Sequence, residues 1–418
     1  MNAVLLTIGD EILLGQIVNT NAAWLGDRLA QVGVTLVRSE TIGDELEVIQ
    51  AALARAYTEA DLVVVTGGLG PTHDDVTKDA VAAHFGVGQT RDPAIEAILE
   101  ERYAARGREL TEMRRTMADV PDGFEPLANP RGAAPGLWGE RTVGTRTELV
   151  AVLPGVPYEM KTIWDESVEP RIRQRRPGAV VHRTLLTVGK GESDIAADLG
   201  DLDTILGPGV GLAFLPSLGT VRMRVTARGD DPDEAQQRID AAAERIRERV
   251  GDLIFGEGRL TLEEVVGEML ADRGLTIASG ESCTGGALSA RLTRIAGASR
   301  YVRGAVVAYC NTVKTDVLGV SREDLVDYGA VSGQVALQMA HGVRQRLGAD
   351  IGISTTGIAG PSGGSVEKPV GTVWLGFASA TDERAVRLQL STDREVNIGL
   401  TTTLALDLVR RQLLRAEA

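Results

Sequence analysis

Apolar residues along this chain occur either in short continuous runs or in longer stretches at helical spacing. Residues 4–8 read as a strand, 21–31 as a helix and 34–39 as a second strand. A helical pattern over 46–58 leads to the wholly apolar run Leu62-Val63-Val64-Val65. A strand with no polar face must be covered on both sides, and the intervening helices supply that cover. This part is therefore expected to be a parallel α/β sheet. Helices over 76–85 and 92–106 follow, then a Pro/Gly-rich interruption over 129–136. A strand over 149–153 leads into Pro154-Gly155-Val156-Pro157 and another helix.

The pattern then changes. Arg171-Ile172-Arg173-Gln174-Arg175-Arg176-Pro177-Gly178 reads as a helix end and linker whose arginines form a solvated surface. Residues 184–255 suggest a smaller unit with strands at 184–188 and 221–227 and helices at 193–202 and 232–250. An α/β pattern resumes near Leu260, with a helix over 262–273 and an apolar run at 275–278. A strand at 304–309, a helix over 333–347, strands at 351–355, 372–378 and 385–390, and a helix over 396–414 complete it. The expected fold class is α/β: two parallel or mixed-sheet α/β domains, over 1–170 and 258–418, joined by a small α+β module over 177–257. No repeat relating the two α/β parts is visible.

Composition narrows the function classes. A chain of 418 residues is long enough for two or three separate cores. Its formal net charge of −14 argues against a general nucleic-acid binder, because such binding is driven by neutralising phosphates. Cys283 and Cys310 are the only cysteines, so neither a disulfide framework nor a C-x-x-C zinc pattern is expected. The amino terminus enters a strand directly, which is unlike a signal peptide, and no apolar stretch is long enough to span a bilayer. A cytoplasmic protein without membrane partners is expected.

The first α/β part carries one dense cluster, Thr66-Gly67-Gly68-Leu69-Gly70-Pro71-Thr72-His73-Asp74-Asp75-Val76-Thr77, between the buried strand and a helix. Glycines let backbone N–H groups approach a phosphate, and a helix start favours its charge. Asp74 and Asp75 would repel a bare phosphate, a conflict that a divalent cation with oxygen ligands resolves. Gly9-Asp10-Glu11 and Gly43-Asp44-Glu45 follow two other strands. In an open parallel sheet such strand ends share the ligand edge. Three acidic loops on that edge point to a metal-dependent phosphate site. His73 reads as a solvated loop residue.

The second α/β part carries Glu281-Ser282-Cys283-Thr284-Gly285-Gly286 between an apolar run and a helix-like segment. This resembles a nucleophile turn without being G-x-S-x-G. Both Ser282 and Cys283 are candidate nucleophiles. Tyr309 and Lys314 follow one predicted strand, and the loop at 355–364 follows another. The only histidine here, His341, lies inside a predicted helix, so no His/Asp triad is available. A Ser–Lys arrangement assisted by a tyrosine hydroxyl remains. It requires a lysine brought down close to neutrality, a cost of about 4 kcal/mol that burial can supply.

These segments carry a family resemblance. Gly9-Asp10-Glu11-Ile12-Leu13-Leu14-Gly15-Gln16, Asn19-Thr20-Asn21, the 66–77 cluster, Asn129-Pro130-Arg131-Gly132-Ala133-Ala134-Pro135-Gly136 and Leu153-Pro154-Gly155-Val156-Pro157-Tyr158-Glu159-Met160 resemble the CinA (competence/damage-inducible) family. Its first domain has a molybdopterin-binding fold, associated with metal-dependent hydrolysis of ADP-ribose to AMP and ribose 5-phosphate. The resemblance implies a divalent metal ion near Asp44, Asp74, Asp75 and Glu11, with Asp44 and Asp75 as the functional acids. Gly67, Gly68, Gly70 and Thr72 would bind substrate.

The 281–286 turn, Tyr309 with Lys314, Gly329-Ala330-Val331-Ser332, the 356–364 loop and Lys368-Pro369-Val370-Gly371-Thr372-Val373 resemble the family's nicotinamide-mononucleotide (NMN) deamidase domain. This implies attack on the carboxamide by Ser282, with Lys314 and Tyr309 handling protons and the N–H groups at Gly285-Gly286 holding the oxyanion. Thr284, Thr356, Gly357 and Gly360 would contact substrate, and Arg394 its phosphate. Asn397 stands where many relatives carry a second basic residue. A homodimer is implied as well. The alternatives are an interaction protein for DNA uptake or recombination, and a first domain that only binds a pterin or nucleotide.

Overall fold

The computed structural model describes residues 1–175, 179–229 and 231–415, so the expected linker at 176–178 lies outside the described residues. Two compact units are present: Met1–Val181 with Arg228–Ala235, and His182–Ala227 with Gln236–Ala418.

In the first unit, six strands form one sheet in the order Thr35–Ile42, Asn2–Ile8, Leu62–Thr66, Arg146–Leu153, Gly136–Val143, Glu125–Leu127. The first four are parallel, and each of the last two pairs antiparallel with the strand before it. All five residues of Leu62–Thr66 are buried, as its apolar run requires. Side chains alternate across a strand, so Val63 and Val65 join one apolar cluster with Ile49 and Leu53. Leu62 and Val64 join another on the opposite face with Leu25 and Trp164.

In the second unit, a four-stranded sheet runs Val210–Ser217, Thr220–Gly229, Ala179–Val188, Ile254–Glu257. A five-stranded sheet runs Val302–Val307, Ile277–Glu281, Ile351–Gly357, Thr372–Ala378, Glu383–Gln389. Its first three strands are parallel, and each of the last two pairs antiparallel with the strand before it. Ile277 packs with Leu406 and Val409 of the Arg394–Arg415 helix, while Ala278 packs with Val335 and Met339 of the Gly333–Leu347 helix. The mixed α/β class read from the pattern holds.

Several strands have no counterpart in the sequence reading. Gly136–Val143, Glu125–Leu127 and Ile254–Glu257 are hairpin or edge strands with short or interrupted apolar runs, whereas Val210–Ser217 carries the apolar run Leu212-Ala213-Phe214-Leu215 on an edge strand. The arginines at 171–175 are a paired surface: Arg171 meets Glu125, Arg173 meets Glu169 at 2.8 Å and Arg175 meets Glu140 at 2.5 Å. Among the described residues, no helix is long and apolar enough to cross a membrane.

Candidate functional site

In each of the two large sheets the strands run locally in the order second, first, third. The crevice between the first and third strands, at their carboxyl ends, is the topological switch point where ligands bind in open α/β sheets. Both clusters singled out in the sequence lie at such a point.

In the second unit, Ser282 directly follows the Ile277–Glu281 strand and donates its N–H to Thr355 O at 2.8 Å. Ala308, just past the Val302–Val307 strand, donates its N–H to Glu281 O at 2.7 Å, so the strand ends are joined. The short helix Asn311–Asp316 then returns Lys314 into the interior. Its Nζ lies 3.0 Å from Ser282 Oγ and donates to Ala308 O at 2.7 Å. Lys314 is 2% exposed, and this burial holds its amine below the ordinary lysine range. Ser282 is 9% exposed, and its hydroxyl meets Lys314 in a buried hydrogen bond. Cys283 turns into the apolar core, where burial pushes its thiol up to about 12. Burial there disfavours the thiolate, whereas the Ser282 hydroxyl lies against the Lys314 amine.

Glu281, which the sequence reading assigned no role, organises the turn. It is fully buried, and its carboxylate accepts backbone N–H bonds from Gly286 (2.9 Å), Leu288 (3.1 Å) and Ser289 (2.8 Å). The hydroxyls of Thr284 (2.7 Å) and Ser279 (3.1 Å) bond to it too. The oxyanion role expected of Gly285 and Gly286 does not fit this arrangement. Gly286 donates to Glu281 and Gly285 to Ser282 O at 3.1 Å, so the protein's own carboxylate fills the anion slot at the helix start. The N–H groups of Cys283 and Thr284 donate to no protein acceptor among the described residues. The local signal for Glu281 was an acid directly before the turn, but its inward direction depends on the returning helix.

The remaining expected contacts divide between the turn and the mouth of the site. Thr284 Oγ1 also shares a 2.7 Å hydrogen bond with Thr355 Oγ1, and Thr356 Oγ1 donates to Ala330 O at 2.7 Å, so both hydroxyls hold loops. Gly357 closes the Ile351–Gly357 strand. Arg394 begins the last helix and donates from Nη1 to Gly360 O and from Nη2 to the Tyr309 hydroxyl, both at 3.0 Å. Tyr309 is 60% exposed and meets Arg394 instead of Lys314. Asn397 donates from Nδ2 to Ala359 O and Ser391 O, both at 2.8 Å, and brings no positive charge.

In the first unit, a cavity of about 540 Å³ opens at the strand ends, within the usual range for small-molecule sites. Glu11, Asp44, Asp74, Asp75, Gly67, Gly68 and Gly70 all line it. Thr72 lies outside this lining and donates its N–H to Asp75 Oδ2 at 3.0 Å and its hydroxyl to the same oxygen. Gly67 has φ 110°, and a Cβ there would sit 2.3 Å from Ile8 O. Only glycine lets the two strand ends approach this closely. Asn21 donates to Gly155 O at 2.7 Å, and Asn129 to Glu159 Oε2 at 2.7 Å, shaping the far wall. The Asn129 loop, read from the sequence as an interruption, is thus an ordered wall piece.

Burial raises the Asp44 carboxyl above the ordinary range, and the Asp10, Asp74 and Glu11 carboxylates add to this. Among the described residues, no three His, Cys, Asp or Glu side chains converge as a ready-made cation site. Glu11 folds back towards Gly9 and Asp75 is tied to Thr72, which keeps the carboxylates apart. The donor set suits a hard divalent cation held by one or two carboxylates with substrate oxygens completing its shell, and not a closed protein cage. His73 is fully solvated, as expected.

Known proteins resemble this chain over nearly its whole length. Residues 4–174 match the probable molybdopterin binding domain, 182–256 the damage-inducible protein CinA KH domain, and 259–413 the CinA C-terminal domain. A CinA-like protein of Salinibacter ruber is 49% identical over 414 residues, covering 99% of this chain and 100% of that protein. One from Gemmatimonas aurantiaca is 46% identical, covering 99% and 97%. Among solved structures, the protein CinA from Thermoplasma acidophilum is 40% identical, covering 41% of this chain and 97% of that one, with a TM-score of 0.37.

Proposed function

The chain belongs to the CinA family, with a molybdopterin-binding-like first domain, and we propose that its second unit is an amidohydrolase acting on the carboxamide of NMN. The observation that carries this reading is the buried Lys314 amine 3.0 Å from Ser282 Oγ. Burial favours the neutral amine, which can take a proton from the hydroxyl. As Ser282 Oγ bonds to the carboxamide carbon, its proton passes to Lys314 Nζ. The C–N bond then breaks, the proton goes to the leaving nitrogen, and ammonia departs. Water next attacks the acyl–serine ester, gives its proton through Lys314 to Ser282 Oγ, and releases nicotinate mononucleotide. The N–H groups of Cys283 and Thr284 supply the remaining main-chain donors of the turn for the oxyanion, a term typically worth about 10²–10³ in rate per donor. Arg394 carries the charge for the substrate phosphate. The test is ammonia release from NMN by wild type against Ser282→Ala. Equal rates would refute the reading.

For the first unit, we infer metal-dependent hydrolysis of ADP-ribose to AMP and ribose 5-phosphate. Support comes from the carboxylates around one nucleotide-sized cavity and the close-approach loop at Gly67. A divalent cation held by Asp44 and Asp75, with Asp74 and Glu11 beside them, would offset pyrophosphate charge and make an attacking water more acidic. The chain's own part is to bring the Gly67–Gly68 backbone against phosphate and to fix Asp75 through Thr72. AMP release that depends on added metal and is lost in Asp75→Ala separates catalysis from simple nucleotide or pterin binding.

A further inference from the structure

Arg394 has an unusual set of partners. Its guanidinium bonds a main-chain carbonyl, Gly360 O, and a neutral phenol, Tyr309, each at 3.0 Å. No carboxylate among the described residues lies within ion-pair reach of it, whereas Arg291 has Glu263 at 2.6 Å and Arg410 has Asp407 at 2.8 Å. The neighbouring Asp393 carboxylate is committed to capping the last helix through the Val396 N–H at 3.0 Å, and Glu395 is exposed. Of the five N–H donors of a guanidinium, two have a protein acceptor among the described residues. This is a half-buried cation on the ligand edge of the sheet with its counter-charge left open. A phosphate accepts charge-assisted hydrogen bonds roughly twice as strong as those to a neutral oxygen. An arriving phosphate therefore competes well for the Nη2 donor that Tyr309 now uses.

Tyr309 is the other half. Its exposed ring leaves it free to turn, and it follows the strand that also delivers Ala308 to Lys314. Lys314 already bonds both Ser282 and Ala308. The missing component of the proton path is a hydroxyl that reaches the leaving nitrogen.

We propose that Arg394 and Tyr309 form a substrate-gated pair: the phosphate of the mononucleotide takes Arg394 and releases the Tyr309 hydroxyl to the Ser282–Lys314 centre, so the phosphate governs the chemical step as well as affinity. The released hydroxyl gives its proton to the departing amide nitrogen while accepting one from Lys314 Nζ. The proton first taken from Ser282 Oγ thus ends on ammonia, and Tyr309 returns neutral. This rests on the amidohydrolase reading and makes phosphorylation of the substrate a specificity determinant expressed in kcat.

The experiment is steady-state ammonia release from NMN and from its phosphate-free nucleoside, with and without inorganic phosphite, by wild type, Tyr309→Phe, Arg394→Ala and the double variant. Wild type should turn over the nucleoside with kcat about 10²-fold lower or more, the scale of general acid–base assistance. Phosphite should restore at least about ten-fold of it. Tyr309→Phe should bring both substrates to one low kcat that phosphite no longer raises, and adding Arg394→Ala should then change only KM. The gate is overturned if the nucleoside shows a raised KM with unchanged kcat, or if Tyr309→Phe keeps the kcat difference between substrates. If wild type releases no ammonia from NMN, the amidohydrolase reading fails and takes the gate with it.

Discussion

The amine of Lys314 lies 3.0 Å from the hydroxyl oxygen of Ser282, although the two residues are separated by a helix, a 3-10 turn, a strand and part of a second helix. Two parallel strands bring them together. The Ile277–Glu281 strand ends at Ser282, and its neighbour Val302–Val307 ends just before the turn whose helix carries Lys314. Burying the amine disfavours its charge, which suits a base and is costly for a structural lysine.

That burial sets a pH dependence. Only neutral Lys314 accepts the serine proton, so kcat/KM should fall as pH drops through an apparent pKa below the ordinary lysine value of about 10.4. The folded-state pKa lies below the unfolded one, so the unfolded chain binds more protons between the two values. Stability should therefore rise with pH through that window. Lys314→Met should flatten this rise and match or exceed wild-type stability at pH 7 in urea denaturation, while lowering kcat about 10²–10⁴-fold.

The two candidate nucleophiles should separate cleanly. Ser282→Ala should reduce ammonia release on the order of 10⁴-fold or more. Cys283→Ala should stay within a few-fold of wild type and lose about 1 kcal/mol of stability from the small cavity it leaves. Iodoacetamide followed by mass spectrometry should label exposed Cys310 and leave buried Cys283 unmodified in the folded protein.

Glu281 should behave as the anchor of the turn. Removing its carboxylate strands the buried Leu288 N–H, at about 1–3 kcal/mol, and takes the acceptor from the part-buried N–H groups of Gly286 and Ser289. Glu281→Ala should lower the urea midpoint strongly, and Glu281→Gln, which keeps one acceptor oxygen, less. Equal midpoints for the two variants would contradict this account.

Two glycines in the first unit should differ in cost for a stated reason. Gly86 has φ 71° with nothing near its missing Cβ, so Gly86→Ala should cost about 1 kcal/mol. Gly67→Ala adds a backbone clash to its strain and should cost more, with loss of nucleotide binding by calorimetry.

Metal dependence is expected in the first unit alone. Chelator should abolish AMP release from ADP-ribose and leave ammonia release from NMN unchanged. Manganese or magnesium with ADP-ribose at about 100 times its Kd should stabilise wild type by about 2.7 kcal/mol, an effect that Asp44→Asn and Asp75→Asn should reduce.

The ordering of strands and helices was legible wherever burial imposes a period. The Leu62–Thr66 strand and the Gly333–Leu347 helix stand where the apolar pattern put them, because a covered strand and a one-sided helix must carry that pattern. Hairpin strands such as Gly136–Val143 escaped, since a strand held by antiparallel neighbours tolerates a broken apolar run. The Ser282, Lys314, Glu11, Asp44, Asp74 and Asp75 positions were visible as chemistry-bearing residues at predicted strand ends.

What the sequence determined by itself was local: which segments are strands and helices, which loops carry nucleophile, base and carboxylates, and which family the motifs resemble. Direction and partnership were left to the tertiary structure. It turned Lys314 inward onto Ser282 and buried Cys283. It closed the helix start with Glu281, gave Tyr309 to Arg394, and held the four carboxylates around one cavity without closing them into a cage. The physical reason is that a side chain's charge state and reach depend on burial and on hydrogen-bond partners. Those partners arrive from segments distant in the chain, and only the packed sheet edge brings them within a few ångströms.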